Sequence, residues 1–158
     1  MKYKTRPIVK WLGFEFVKSV KKFGLHVNFY GWIMSTLFTS TGRYHYYNSW
    51  LMVDCCEELA RYYRSLVHSF SPSIFLQVPK HDSHITVIAG KYEPNHDQRY
   101  WKRYDGQEIN FSYSPIIGSD GTYFWLPVFC PDFEKVRMEL GLNPLIPIPW
   151  HLTIGNLK

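Results

Sequence analysis

The chain has 158 residues, of which 46% are hydrophobic, so it can bury one core but is too short to divide comfortably into two independent domains. Its net charge of +5 at pH 7 favours an anionic ligand, yet it is modest for an architectural nucleic-acid-binding protein. Three cysteines, two of them adjacent, are an awkward set for a disulfide framework and lack zinc-finger spacing, which predicts reduced thiols in a cytoplasmic protein.

No targeting or membrane segment is expected. The N-terminus carries basic side chains without the uninterrupted apolar stretch of a signal peptide. Later hydrophobic runs are broken by charge, glycine or proline before they reach the roughly 20 apolar residues of a membrane-spanning helix. We therefore expect a soluble protein with no membrane span.

The first half is predicted to begin with a helix. Apolar residues at spacings of three and four over residues 8–23, with lysines between them, predict an amphipathic basic helix. Branched and aromatic residues at 27–38 predict a strand, and the ring-rich stretch 40–47 predicts a loop. The most regular helix is predicted from an N-cap at Asn48 to about residue 68.

Short strands and a long connection follow. Residues 74–78 and 84–88 predict two strands. Residues 90–107 are rich in charged side chains with two glycines and a proline, which predicts a connection without regular structure. We expect a single domain over residues 1–158, with lobe one at about 1–90, the connection at about 91–107 and lobe two at about 108–158.

The second half repeats the order of a helix followed by a strand. Residues 109–116 and 122–129 predict strands, and the turn signal at 118–121 predicts a hairpin between them. Pro131 is expected to open a short helix that ends at Gly141. A proline-rich link then leads to a last strand at residues 150–154.

Two tetrads share the pattern His, apolar, Thr, apolar. They are His84-Ile85-Thr86-Val87 and His151-Leu152-Thr153-Ile154. Side chains alternate faces along a strand, so each His shares a face with its Thr while the apolar residues point into the core. Two such strands side by side would place two imidazoles around a gap of phosphate size, with two hydroxyls beside it. The alternative is a pair of strands with incidental histidines.

This arrangement suits metal-free cleavage of a phosphodiester. One neutral histidine, His84 or His151, would remove a proton from a ribose 2′-hydroxyl or water, and the other would protonate the departing oxygen. Thr86 and Thr153 would donate hydrogen bonds to the charge that develops on the phosphate. The sequence leaves open which histidine is the acid.

The paired tetrads, with the arrangement of their two halves, resemble the 2H or LigT-like phosphoesterases over roughly residues 28–156. The segment 123–156 is especially similar to the second lobe of that family. The resemblance implies a bilobal α+β fold, in which two antiparallel sheets line a central cleft with helices outside, and no metal or other cofactor. It implies 2′,3′-cyclic phosphates or linear or cyclic oligonucleotides as substrates, and the chain is also similar to viral 2H enzymes that degrade the cyclic-nucleotide signals of bacterial defence.

Five further residues are candidates for contacts with a nucleotide substrate: Tyr123, Trp125, Tyr44, Trp101 and Lys80. Their rings and cations are of the kind that stack bases and hold phosphates. Packing in a polar loop is the alternative for Tyr44 and Trp101, a core position for Tyr123 or Trp125, and simple solvation for Lys80. The spacing of His81 and His84 occurs in metal sites, but no cluster completes a ligand set and no metal is predicted.

Two other functions fit the same sequence. The chain could be a binding module that captures a nucleotide or an RNA end without cutting it. It could also be an interaction protein that acts through the basic helix at residues 8–23. The linkage that is cleaved, the base and the oligomeric state are left open.

Overall fold

Antiparallel strand pairing organises most of the chain. A computed structural model describes residues 10–11, 14–15, 37–90, 93, 98–144, 146 and 148–157. The strands are β1 (Lys10–Trp11), β2 (Phe14–Glu15), β3 (Phe38–Tyr47), β4 (Trp50–Cys55), β5 (His84–Ile88), β6 (Glu108–Tyr113), β7 (Gly118–Ser119), β8 (Tyr123–Phe129) and β9 (His151–Asn156). The helices are α1 (Glu57–Phe70) and α2 (Pro131–Glu139), and a 3-10 turn lies at Gln98–Tyr100.

Six of these strands close into a barrel. They are hydrogen-bonded in the order β6-β3-β4-β5-β9-β8, and β6 also pairs with β8 through Ser112 and Tyr113. The short strand β7 pairs with the beginning of β8, at Phe124 and Trp125. The expected bilobal fold with two separate sheets is therefore wrong, because strands from the two halves are neighbours twice: β3 beside β6, and β5 beside β9.

The core lies on the inner face of this closed sheet. Alternate residues of each strand point inward, as Tyr44, Val53, Ile85, Leu126 and Leu152 do, and all five are buried. Full burial of an aliphatic side chain contributes on the order of 1.5–3 kcal/mol, so a slip of one residue in register would expose the whole inner row. The alternation therefore fixes which side chains remain on the outer face.

Both helices pack on core side chains. Tyr63 of α1 meets Tyr113 of β6, with their ring centroids 6.3 Å apart. Pro131 opens α2 at its first turn, and Phe133 packs its ring edge-on against Trp150 with centroids 5.4 Å apart. Within the described ranges, no helix combines the length and the apolar character that crossing a membrane requires.

The predicted helix from Asn48 was wrong over its first turns. Residues 50–55 form β4, and α1 begins at Glu57. Leu51 and Val53 alternate into the core, and both are fully buried. The helical interpretation arose because Met52 and Cys55 also fit a period of three to four.

The predicted loop at residues 40–47 is also wrong. It is the greater part of β3, whose Tyr44 and Tyr46 point inward while Arg43, His45 and Tyr47 point outward. Aromatic residues favour strands as much as they favour binding loops, and here the alternation decides. The ring-rich stretch is thus part of the barrel wall.

Other predicted elements differ in smaller ways. Residues 10–11 and 14–15 pair as a two-stranded hairpin instead of lying in a helix. The rest of the predicted helix 8–23, and residues 27–36 of the predicted strand 27–38, lie outside the described residues. The predicted strand at 74–78 is reduced to a single bridge between Gln77 and Asn156. The strands that carry the two tetrads, and α2, lie where the sequence predicts them.

Candidate active site

The two tetrads lie side by side. Strands β5 and β9 are antiparallel neighbours, and Ile85 is the partner of Leu152. One residue further in each direction, this register places His84 opposite Thr153 and Thr86 opposite His151. Ile85 and Leu152 are fully buried, so the two histidines and two threonines share the outer face, where all four are partly exposed. Each histidine therefore has the threonine of the other tetrad as its cross-strand neighbour.

The backbone orients both imidazole rings in the same way. The Nδ1 atom of His84 lies 3.0 Å from the carbonyl oxygen of Asp82, and that of His151 lies 2.9 Å from the carbonyl oxygen of Pro149. A carbonyl oxygen only accepts hydrogen bonds, so each Nδ1 carries a proton and donates it. The Nε2 atom of each ring is then the nitrogen available to a substrate, as a base when neutral and as an acid when protonated.

Two local backbone features place these carbonyl oxygens. Asp82 adopts a left-handed conformation with φ 54°, which Asp tolerates better than most residues. Pro149 has the fixed φ of proline, two residues before His151. In both cases the carbonyl that holds the ring comes from the residue two positions before the histidine.

The two histidines have different surroundings. Burial lowers the pKa of His151 below its ordinary value, and the charge of His84 lowers it further, while the Pro149 carbonyl and Asp120 oppose the shift. The indole of Trp125 is close to His151, with ring centroids 5.6 Å apart. His151 is therefore the ring that loses its proton more readily than an ordinary histidine, which suits a general base.

The indole of Trp125 packs directly against Gly118. This tryptophan is the strand partner of both Thr153 in β9 and Gly118 in β7. A Cβ atom built on Gly118 would lie 2.5 Å from the Nε1 atom of Trp125, so the indole occupies the space that any larger residue would need. This contact keeps the ring beside His151. Tyr123, two residues earlier on the same face, is half exposed.

A third histidine lies beside His84. The ring of His81 lies 6.2 Å from that of His84 and 5.9 Å from that of Tyr47, measured between centroids. The sequence drew attention to His81 only as a possible metal ligand. Among the described residues, no three or more His, Cys, Asp and Glu side chains are grouped so that they could hold a metal ion.

An arginine of α1 holds the end of the second tetrad. Arg64 donates a hydrogen bond to the carbonyl oxygen of Ile154, the residue after Thr153, at 2.7 Å. It also pairs with Glu57, whose carboxylate accepts a hydrogen bond from the hydroxyl of Ser83. Burial works against ionisation of Glu57, but the hydrogen bonds from Ser83 and Arg64 outweigh it and lower its pKa. The ionised pair links α1 to both tetrad strands.

An arginine of α2 holds the first tetrad in the corresponding way. Arg137 is only 1% exposed, and it donates to the carbonyl oxygen of Val87, the residue after Thr86, at 2.8 Å. Its guanidinium also forms a two-pronged ion pair with Glu93 and donates to the carbonyl oxygen of Asn143. A buried guanidinium is tolerable only when its donors are satisfied, and these contacts satisfy it.

Each arginine bonds to the tetrad strand that belongs to the other half of the chain. Helix α1 precedes β5, yet Arg64 bonds to β9, and helix α2 precedes β9, yet Arg137 bonds to β5. Each tetrad is therefore held by the helix of the other half. Nothing in the sequence singled out these two residues, because a lone Arg in a helix usually lies on the surface.

The other predicted contact residues are scattered. Tyr44 does not lie on the site face, because alternation along β3 turns it inward, where it is 3% exposed and burial raises its pKa. Trp101 packs edge-on against Tyr46, with centroids 4.6 Å apart, at the margin of the core. Lys80 is exposed in the loop before β5, next to His81. The face that carries the tetrads thus includes Trp125 and Tyr123, but not Tyr44.

Comparison of the chain with protein-family models, with curated proteins and with solved structures found no match in any of the three. The chemistry of the site therefore rests on the residues of this chain. The resemblance to the 2H phosphoesterases remains a resemblance of the two tetrads and the segments around them.

Proposed function

We propose that the chain is a metal-independent phosphodiesterase that cleaves RNA-like or cyclic nucleotides by acid–base catalysis between His84 and His151. The observation that carries this proposal is the register of β5 and β9, which gathers both histidines and both threonines on one face. The matching Nδ1 contacts add to it, because they leave Nε2 of both rings available to one phosphate.

The protons can be followed through the reaction. His151, with its lowered pKa, is the base, and its Nε2 atom takes the proton of a ribose 2′-hydroxyl or of water. The oxygen so activated attacks phosphorus, and the bond from phosphorus to the departing oxygen breaks. His84 acts as the acid and gives its Nε2 proton to that oxygen. The roles are reversed when a water molecule opens a 2′,3′-cyclic phosphate product.

The threonines and Trp125 complete the site. Thr86 and Thr153 donate hydrogen bonds to the non-bridging oxygens of the phosphate, and loss of one such donor typically costs about 10²- to 10³-fold in rate. Trp125 limits the access of water to His151. Because the site needs no metal in this scheme, activity persists in the presence of a chelator.

The substrate class follows from the resemblance and from the positive charge of the chain. The candidates are nucleoside 2′,3′-cyclic phosphates and linear or cyclic oligonucleotides with 2′-5′ or 3′-5′ linkages. Cyclic oligonucleotides that act as signals in bacterial defence belong to the same chemical class, so a viral enzyme that removes them is one form of this proposal.

A substrate screen tests the proposal. The protein is incubated in EDTA with each candidate nucleotide, and the products are separated by liquid chromatography and identified by mass spectrometry. We expect at least one phosphodiester to be cleaved. If a nucleotide co-elutes with the protein and is recovered intact after long incubation, the chain is instead a binding module, and the catalytic proposal fails.

The pH dependence provides a separate prediction. The acidic limb of kcat/KM reports deprotonation of the free base, so it should have its midpoint below 6.5, the ordinary pKa of His. In Trp125→Ala the ring of His151 is more hydrated, its pKa rises, and the limb should move to higher pH. Rates measured from pH 4.5 to 8 for both proteins check this. An acidic limb that stays in place in Trp125→Ala would argue against His151 as the base.

A further inference from the structure

A further ring side chain lies beside each of the two histidines. His81 lies beside His84, and Tyr47 lies beside His81. Tyr47 is 51% exposed and His81 is exposed, so neither ring is buried in the core. Trp125 lies beside His151. Each of the two histidines therefore has a ring side chain of its own beside it, His81 at His84 and Trp125 at His151.

The two ring surfaces are supported in different ways. Trp125 rests on Gly118 and cannot move toward β7. His81 belongs to the loop before β5 and is tilted by 47° against Tyr47. Imidazole, phenol and indole rings all stack on nucleobases. Lys80, which is exposed, directly precedes His81 and supplies a cation to the same loop.

We propose that the site holds a nucleoside on each side of the scissile phosphate, one against His81 and Tyr47 and the other against Trp125. This inference rests on the proposed function and narrows its substrate class. The preferred substrate is a dinucleotide step within a linear or cyclic oligonucleotide. A mononucleoside 2′,3′-cyclic phosphate fills only one of the two positions.

The positions of the rings favour this substrate for a simple geometric reason. Both rings lie about 6 Å from a catalytic imidazole, 6.2 Å for His81 and 5.6 Å for Trp125. A phosphate between the imidazoles therefore has a ring within reach of each of its two nucleosides. Base stacking typically strengthens binding by roughly 5- to 150-fold per base. A substrate with two bases should use both contributions.

The test measures binding apart from cleavage. Isothermal titration calorimetry in EDTA compares 2′-O-methyl ApA, whose blocked 2′-hydroxyl prevents internal attack, with adenosine 3′-monophosphate. We expect the wild-type protein to bind the dinucleotide at least about tenfold more tightly. Chromatography of the recovered ligand checks that it is intact.

Variants then assign the two positions. His81→Ala and Trp125→Leu should each remove the advantage of the dinucleotide, and Trp125→Tyr should restore much of it because it keeps a ring. Gly118→Ala, whose Cβ would displace the indole, should behave like Trp125→Leu.

Matched controls come from α1. His68→Ala removes an exposed imidazole, and Tyr62→Ala removes a ring that is 58% exposed, both on α1 rather than on β5 or β9. Neither should change the affinity for either ligand. Thermal unfolding of every variant confirms that it is folded.

The outcomes separate this inference from the proposed function. Equal binding of the two ligands by the wild type, binding of neither, or an advantage that survives both His81→Ala and Trp125→Leu would overturn the two-sided site. A dinucleotide bound in the predicted way but never cleaved, even with a free 2′-hydroxyl, would leave the site standing and refute the enzyme. If cyclic mononucleotides were cleaved as fast as dinucleotides, the enzyme proposal would stand and the two-sided site would be refuted.

Discussion

His84→Ala and His151→Ala should each lower kcat about 10²- to 10⁴-fold while leaving KM within a small factor of the wild-type value. General acid–base catalysis by a positioned side chain contributes a rate factor of this size. Both rings contact the reacting atoms in the proposed mechanism, whereas binding depends mainly on the flanking rings. Steady-state kinetics on the best substrate of the screen, in EDTA, measure both constants.

The control for these variants is His68→Ala, which removes an exposed histidine from α1. It should retain the wild-type kcat. Circular dichroism spectra and thermal midpoints show whether each variant is folded. We expect them to match the wild type, because partly exposed histidines contribute little to the core. A kcat close to that of the wild type in either His84→Ala or His151→Ala would remove that residue from the mechanism.

Arg137→Met should destabilise the fold by about 3 kcal/mol, the low end of the usual cost of breaking a buried ion pair, because the side chain of Glu93 is 24% exposed. The substitution removes the guanidinium that pairs with Glu93 and donates to the carbonyl oxygens of Val87 and Asn143. Val87 is 1% exposed, so the loss of the donor to its carbonyl oxygen adds to the loss of the ion pair. Urea unfolding followed by tryptophan fluorescence gives the free energy of unfolding.

The same helix supplies the matched control for this prediction. Lys135 of α2 forms an exposed ion pair with Asp132, and Lys135→Met should leave the unfolding midpoint unchanged within error. Adding Glu93→Gln to Arg137→Met should recover part of the lost stability, because it removes the carboxylate charge that had lost its guanidinium. If Arg137→Met were no more destabilising than Lys135→Met, the buried pair would have no structural importance.

The two arginines link stability to the site. Arg64 and Arg137 bond to the residues that directly follow Thr153 and Thr86. Packing of each helix therefore also fixes the tetrad of the other half. Neither half of the chain therefore forms the candidate site by itself. Each half supplies one histidine, and also the arginine that bonds to the tetrad strand of the other half.

The site was easier to predict than the barrel that carries it. Strand alternation is a local rule, so His84 and Thr86 could be placed on one face, opposite Ile85, from four residues alone. The pairing of β5 with β9 and of β3 with β6 joins residues more than 60 positions apart. No local pattern specifies such contacts, and the resemblance favoured two sheets in their place.

The wrong or missing predictions for residues 48–55, Tyr44 and Arg137 each have a physical cause. Met52 and Cys55 fit a helical period while Leu51 and Val53 fit a strand, and only packing in the barrel decides between them. Tyr44 looked like a ligand-binding ring because its neighbours Arg43 and His45 are polar, but alternation turns it inward. Arg137 could not be recognised as buried, because its partner Glu93 lies in the connection, 44 positions away.

The most direct test of the shared site is the cleavage rate of the double variant His84→Ala/His151→Ala. It is measured as a single-turnover rate constant, with enzyme in excess over a dinucleotide in EDTA. Two groups that act on one phosphate in one step are not additive, so the double variant should be at most about tenfold slower than the slower single variant. Losses that multiply fully, or a single variant that cleaves at the wild-type rate, would contradict a shared acid–base pair.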